Sequence, residues 1–243
     1  MKLIRNIFAY IFFLVSSNLL ADFDKGIAAY NKDDYATALI EFEKSALQNH
    51  PDAQYHLANM YKNGKGVKQD YFIAVEWLQK SADQGHSMAQ FSLGWLYRQG
   101  KGVNQDYFKA VKWLHKSAEQ GNSSAEFALG MTYQNGQGVK QDYFKAVEWF
   151  HKSAEQGHSM AQVLLGGLYA QGRGVKQDYF KAVKWLQKSA DNNNEDAYYL
   201  LGVMYKNGLG VKQSYQMAKQ WFGKACEQNL QHGCESYAEI NRR

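Results

Sequence analysis

The hexapeptide Gly66-Val67-Lys68-Gln69-Asp70-Tyr71 returns with small changes at Gly102, Gly138, Gly174 and Gly210, each time 36 residues further on. Trp77, Trp113, Trp149, Trp185 and Trp221 keep the same interval. A fixed period of this size constrains the fold more than composition does. One unit is too short to bury its own apolar face and must stack on its neighbours, so the chain reads as a solenoid.

Each period holds two helical patterns. Ala53, Leu57, Ala58 and Tyr61 fall on one face of a first helix, helix A, and Ala89, Leu93, Gly94 and Tyr97 repeat those columns. The glycines of Asn63-Gly64-Lys65-Gly66 end that helix. Asp70 is placed to cap a second helix, helix B, whose apolar stripe is Ala74, Trp77, Leu78, Ser81 and Ala82. Ser87, Ser123 and Ser159 stand where they could cap the next helix A. Pro occurs once, at Pro51, as long helical stretches require. The tryptophans read as glue between helices rather than as ligand contacts.

The first unit differs. Asp34, Tyr35, Ala38 and Phe42 sit 36 residues before Asp70, Tyr71, Ala74 and Leu78, but the loop ahead of them is only Asn31-Lys32-Asp33. The expected organisation is a leader at 1–21, a tetratricopeptide-like helix pair at 22–51, five 36-residue repeats at 52–232 and a capping helix at 233–243. The leader pattern is Lys2 and Arg5, then an apolar run from Ile7 to Val15, then Ala21 before Asp22. The run is about half of the roughly 20 residues a spanning helix needs, so cleavage after Ala21 and a periplasmic or secreted destination are expected.

The pattern Ala-x-x-x-Leu-Gly-x-x-Tyr-x-x-Gly-x-Gly-Val, then Asp, then Lys-Ala-x-x-Trp, as at Ala89 to Val103 and Asp106 to Trp113, resembles the Sel-1-like repeat. It recurs five times from Ala53 to about Gln228. The resemblance implies an all-α, right-handed superhelix of stacked helix pairs that serves as an adaptor for a protein or peptide partner, often periplasmic or secreted and sometimes in host contact. In this superfamily helix A lines the concave face.

Cys226 and Cys234 occupy the end of one helix B and the start of the next helix, so the turn between them can join them, and an oxidising compartment would preserve a bridge. The pair is similar to those of the Helicobacter cysteine-rich branch of the family. A redox pair or a metal site is the alternative, with neither C-x-x-C nor the usual ligand spacing to support it.

Signs of catalysis are few. Some cysteine-rich relatives are described as penicillin-binding or β-lactamase-like, yet no serine here has a lysine three residues later. The recurrent Lys-Ser pairs, such as Lys116-Ser117, have the opposite order and a structural column. Seven histidines suggest metal, but those sharing a column lie about 10 Å apart, so solvent-exposed histidines are expected. The Gly-x-Gly-Val loops serve turns rather than phosphates. Lys and Arg exceed Asp and Glu by 28 − 23 = +5, too little to indicate nucleic acid. No cofactor or metal is expected.

Five copies form an internal alignment in which the helix A columns at 56, 59 and 62 vary most. Their i, i+3, i+6 spacing places them along one side of the helix. The candidate partner-binding residues are therefore His56, Asn59, Lys62, Trp95, Arg98, Met131 and Gln134, with Trp95, Met131 and Arg98 of the types enriched at interface cores. Packing of Trp95 against a neighbouring repeat is the competing role. A protein-binding scaffold is the first reading; a β-lactam or cell-wall processing enzyme and a structural homo-oligomer are the others.

Overall fold

The computed structural model describes residues 22–242, so the leader pattern of 1–21 lies outside the described residues. A helix α1 at 22–30 pairs with α2 (Tyr35–Leu47). Five long-loop pairs follow: α3 (Pro51–Asn63) with α4 (Tyr71–Asp83), α5 (Ser87–Gln99) with α6 (Tyr107–Ala118), α7 (Ser123–Asn135) with α8 (Tyr143–Glu155), α9 (Ser159–Gln171) with α10 (Tyr179–Asp191), and α11 (Glu195–Asn207) with α12 (Tyr215–Glu227). The last helix is α13 (Gln231–Asn241). Among the described residues there is no strand, as the periodicity implied. The described chain falls into two compact units that divide between Gln120 and Gly121.

Each helix B starts on the expected cap. The Asp106, Asp142 and Asp178 carboxylates accept the N–H of Lys109, Lys145 and Lys181 at 2.9, 3.1 and 2.9 Å, and Ser214 takes the place of Asp ahead of α12. The helix A caps correct the sequence reading. Ser87, Ser123 and Ser159 are the first residues inside their helices, and the caps are His86, Asn122 and His158, with His50 and Asn194 in the same column. Imidazole Nδ1 of His86 accepts the Ala89 N–H at 3.1 Å, as His158 does for Ala161 at 3.3 Å. A neutral imidazole offers one ring acceptor, which is what an N-cap supplies. His50 and His86 side chains are only 13% and 16% exposed, so these histidines are structural and not solvated as expected.

The loop between helices is closed by a glutamine that the sequence reading passed over. Gln69 Nε2 donates to the Lys62 carbonyl at 2.7 Å and to the Tyr71 hydroxyl at 3.2 Å, and Gln105, Gln141 and Gln177 do the same in later repeats. These bonds satisfy carbonyls that the end of helix A leaves without partners.

Repeats are held by three recurring features. In helix B the buried Ser81, Ser117, Ser153 and Ser189 hydroxyls donate to the carbonyls of Pro51, Ser87, Ser123 and Ser159 at 2.7–2.9 Å, which gives the Lys-Ser column its structural role. Between repeats, Gln54 and Gln90 donate to the carbonyls of Ala46 and Ala82 at 3.2 and 3.1 Å. The buried indoles come third. Trp113 packs into the cluster of Leu78, Leu93 and Leu96, and Trp185 into that of Phe150, Leu165 and Leu168. Each Trp of this column carries a lysine ammonium over its ring, from Lys80 over Trp77 at 4.0 Å to Lys224 over Trp221 at 4.6 Å, a cation–π contact.

The second loop glycine fits against the repeat before it. Gly102 has φ +71°, and a Cβ added there would fall onto the Tyr71 carbonyl at the start of α4. Gly174 and Gly210 meet Tyr143 and Tyr179 in the same way. At the C-terminus Cys226 and Cys234 form a disulfide between α12 and α13, with Cα atoms 4.5 Å apart. The helix that carries Cys234 starts at Gln231, two residues before the expected Gly233, which is buried against Ala225.

Gly102→Ala should cost roughly 2–5 kcal/mol, combining a left-handed backbone with overpacking. Gly85, at φ +91° with nothing within 4 Å of an added methyl, should cost only about 1–2 kcal/mol when changed to Ala. Urea titration of both variants measures the difference, and equal losses would mean that the loop does not bear on the preceding repeat. Stability should also depend on pH through His56 and His158, whose imidazoles burial holds below their ordinary value, Asp52 opposing the shift at His56. The folded state therefore prefers the neutral ring; its contribution is complete above the unfolded value of about 6.5 and is lost as pH falls through the depressed folded value. His158→Asn keeps the cap, as Asn122 does in its own repeat, and should unfold at nearly the same temperature as wild type at neutral pH while losing less at mildly acidic pH.

Candidate functional site

The variable helix A columns are placed by the same apolar stripe that builds the core. Ala53, Leu57, Ala58 and Met60 of α3 turn fully inward, which leaves Asn59 and Lys62 half-buried on the flank of the helix. In α5 the inward residues are Ala89, Leu93 and Leu96, and Trp95 and Arg98 take the flank.

The structure brings Lys62 and Trp95 together. With Asn63, Tyr71, Phe91 and Ser92 they line a pocket of about 230 Å³ in the first unit. Tyr71, Phe91 and Trp95 give it aromatic walls, and Lys62 supplies a cation whose ammonium burial holds below the ordinary lysine value. The volume suits one side chain rather than a cofactor-sized ligand, since such sites run to several hundred Å³. The chemistry favours a group with an apolar body and an anionic or accepting end. Trp95 serves two roles. It packs on the Leu78–Leu93–Leu96 cluster and lines the pocket, and the Lys101 ammonium lies 5.2 Å from its ring.

The other candidates separate. His56 is enclosed by aromatic rings, with Phe42 stacked at 5.2 Å and Phe23, Tyr55 and Tyr30 at 5.7, 5.5 and 6.4 Å, so its side chain belongs to the packing of α1 to α3. Arg98 uses its carbonyl to receive Gln105 at 2.8 Å, and its side chain is half-buried. Met131 and Gln134 lie in the second unit. Met131 packs on the Phe150 cluster, and the Gln134 carbonyl receives Gln141 at 2.8 Å. Among the described residues no three of His, Cys, Asp and Glu converge on one point, and no helix is long and apolar enough to cross a membrane.

A model of the Sel1 repeat matches residues 51–86, 87–122, 123–158, 159–194 and 195–230. The solved structure of a protective antigen of uropathogenic Escherichia coli strains, with an SLR fold, is 37% identical at a TM-score of 0.83 and covers 86% of this chain. This chain spans only 46% of that protein. A Sel1 repeat protein from Oxalobacter formigenes is 30% identical at a TM-score of 0.83, over 90% of this chain and 87% of its own. Cysteine rich protein B of Helicobacter pylori is 27% identical at a TM-score of 0.43, over 54% of this chain and 94% of that one. No curated protein matches the sequence. With five consecutive matches over most of its length and the same helix-pair architecture as the Oxalobacter protein, the chain belongs to the Sel1 repeat family.

Proposed function

We propose that the protein is an exported, non-catalytic scaffold that holds a protein partner on the flank of its A helices, with the Trp95 pocket as the anchor. The observation that carries this reading is a coincidence of variation and shape. The five copies differ most at columns 56, 59 and 62, and two residues of those columns, Lys62 and Trp95, line an aromatic-walled pocket. Proteins of Sel1 repeats mediate protein–protein interaction. Aromatic and basic residues around a small depression are the usual anchors of such interfaces.

Export is supported by the leader pattern of 1–21 and by the disulfide, which persists in oxidising compartments. The E. coli relative described as a protective antigen fits a place in the cell envelope or in contact with a host. The non-catalytic character is supported by the Lys-Ser hydroxyls, which are spent on helix carbonyls rather than poised as nucleophiles.

Crosslinking in the native cell envelope followed by mass spectrometry tests the scaffold directly. Wild type should capture a defined protein, and Trp95→Ala/Arg98→Ala should lose it while keeping its helical content. Because Trp95 also packs on the core, Lys62→Ala is the second variant. It leaves the core untouched and should weaken capture several-fold without lowering the melting temperature. Unchanged capture by both variants would remove the partner from this flank.

A further inference from the structure

Phe72 and Phe108 in the first unit, and Phe144 and Phe180 in the second, are 72%, 77%, 72% and 72% exposed. Each is the second residue of its helix B, in α4, α6, α8 and α10. Packing does not account for them. The same column holds Ala36 in α2 and Gln216 in α12, and both of those helices form as well. A large apolar side chain repeated four times in water is a cost that folding does not demand.

Beside Phe72 and Phe144 lie pockets of about 500 and 680 Å³ built from identical columns: Tyr61 and Tyr133, Lys68 and Lys140, Asp70 and Asp142, Gly102 and Gly174 among them. The repeat thus encodes the pocket as well as the ring. Charge is concentrated along the same edge. In the first unit, residues 62–73 and 98–109 hold six Lys and Arg against two Asp, and in the second, residues 134–145, 170–181 and 206–217 hold seven against two. All four aspartates cap helices, and their carboxylates accept backbone N–H groups at the positive helix ends. In a chain whose total is only +5, the loop segments of each unit are strongly basic.

We infer that the loop edge within each unit is a further docking surface, which takes an extended acidic polypeptide segment studded with apolar side chains. The repeats that carry Phe72 and Phe144 offer the same three elements: an exposed ring, a pocket beside it and nearby exposed cations, as Lys140 and Lys145 flank Phe144. An extended chain alternates side chains between two directions, so apolar groups can enter pockets while carboxylates meet lysines. A bilayer would take up the rings but leave the pockets empty. A polynucleotide carries phosphates too closely spaced to avoid the Asp70 and Asp142 carboxylates in the pocket walls. In the first unit this edge adjoins the Trp95 pocket and shares Tyr71 with it, but its exposed rings and Lys68 and Lys140 are not part of that pocket, so variants at those positions test the edge separately.

Fluorescence anisotropy with the purified protein tests it, using a labelled peptide of the repeat Glu-Leu-Glu-Ser. The peptide should bind, and more weakly as salt rises across the physiological range. Phe72→Ser/Phe144→Ser and Lys68→Gln/Lys140→Gln, which alter the pocket of each unit, should each weaken binding about tenfold or more with unchanged melting temperature, since these side chains are exposed. Trp95→Ala should leave this binding as it is. The inference is overturned if the peptide does not bind, if a version with Gln for Glu binds equally, or if both double variants bind like wild type. Tighter binding of oligodeoxythymidine, or of phosphatidylglycerol vesicles, than of the peptide would overturn it as well.

Discussion

The loop glycine that bears on the preceding repeat is the contact on which the stacking depends. Gly102 rests on the carbonyl that opens α4, Gly174 on that of α8 and Gly210 on that of α10. Backbone lies against backbone with no side chain between, so the next repeat has little freedom to slide. The buried tryptophan and the glutamine on the preceding helix end can then recur at constant offsets. Apolar burial supplies most of the free energy, while this fit sets the register in which it is collected.

The fold was legible because a repeat displays its own constraints. The order of the helices, the Asp caps and the tryptophan seam all followed from columns that return every 36 residues. The helix A caps were not legible, because histidine is an unusual cap and serine a familiar one. Only the backbone showed that Ser87 lies inside its helix and that His86 accepts the hydrogen bond. The disulfide was legible from the columns of Cys226 and Cys234 at facing helix ends.

The candidate site was legible in part. Variation between copies pointed to the flank of helix A, and Lys62 and Trp95 do share a pocket. Variation alone could not separate them from His56, which is enclosed by four aromatic rings contributed largely by the short-loop pair that precedes the regular repeats. The exposed phenylalanines were missed for the opposite reason. A column that keeps one large apolar residue in four copies reads as core until exposure is known, and Phe72, Phe108, Phe144 and Phe180 lie outside it. The candidate surfaces therefore lie both where copies differ and where they agree without a packing reason.

If each repeat touches its neighbours only through shared columns, a whole period can be removed. Deletion of 159–194 joins His158, a helix A cap, directly to Glu195, the first residue of α11. Equilibrium denaturation of that chain, followed by far-UV and near-UV circular dichroism, tests the account most directly. The account predicts one cooperative transition seen by both signals, with a denaturant slope reduced roughly in proportion to the residues removed. A helical chain without near-UV signal or cooperative unfolding would contradict it, because the repeats would then depend on specific neighbours rather than on a common seam.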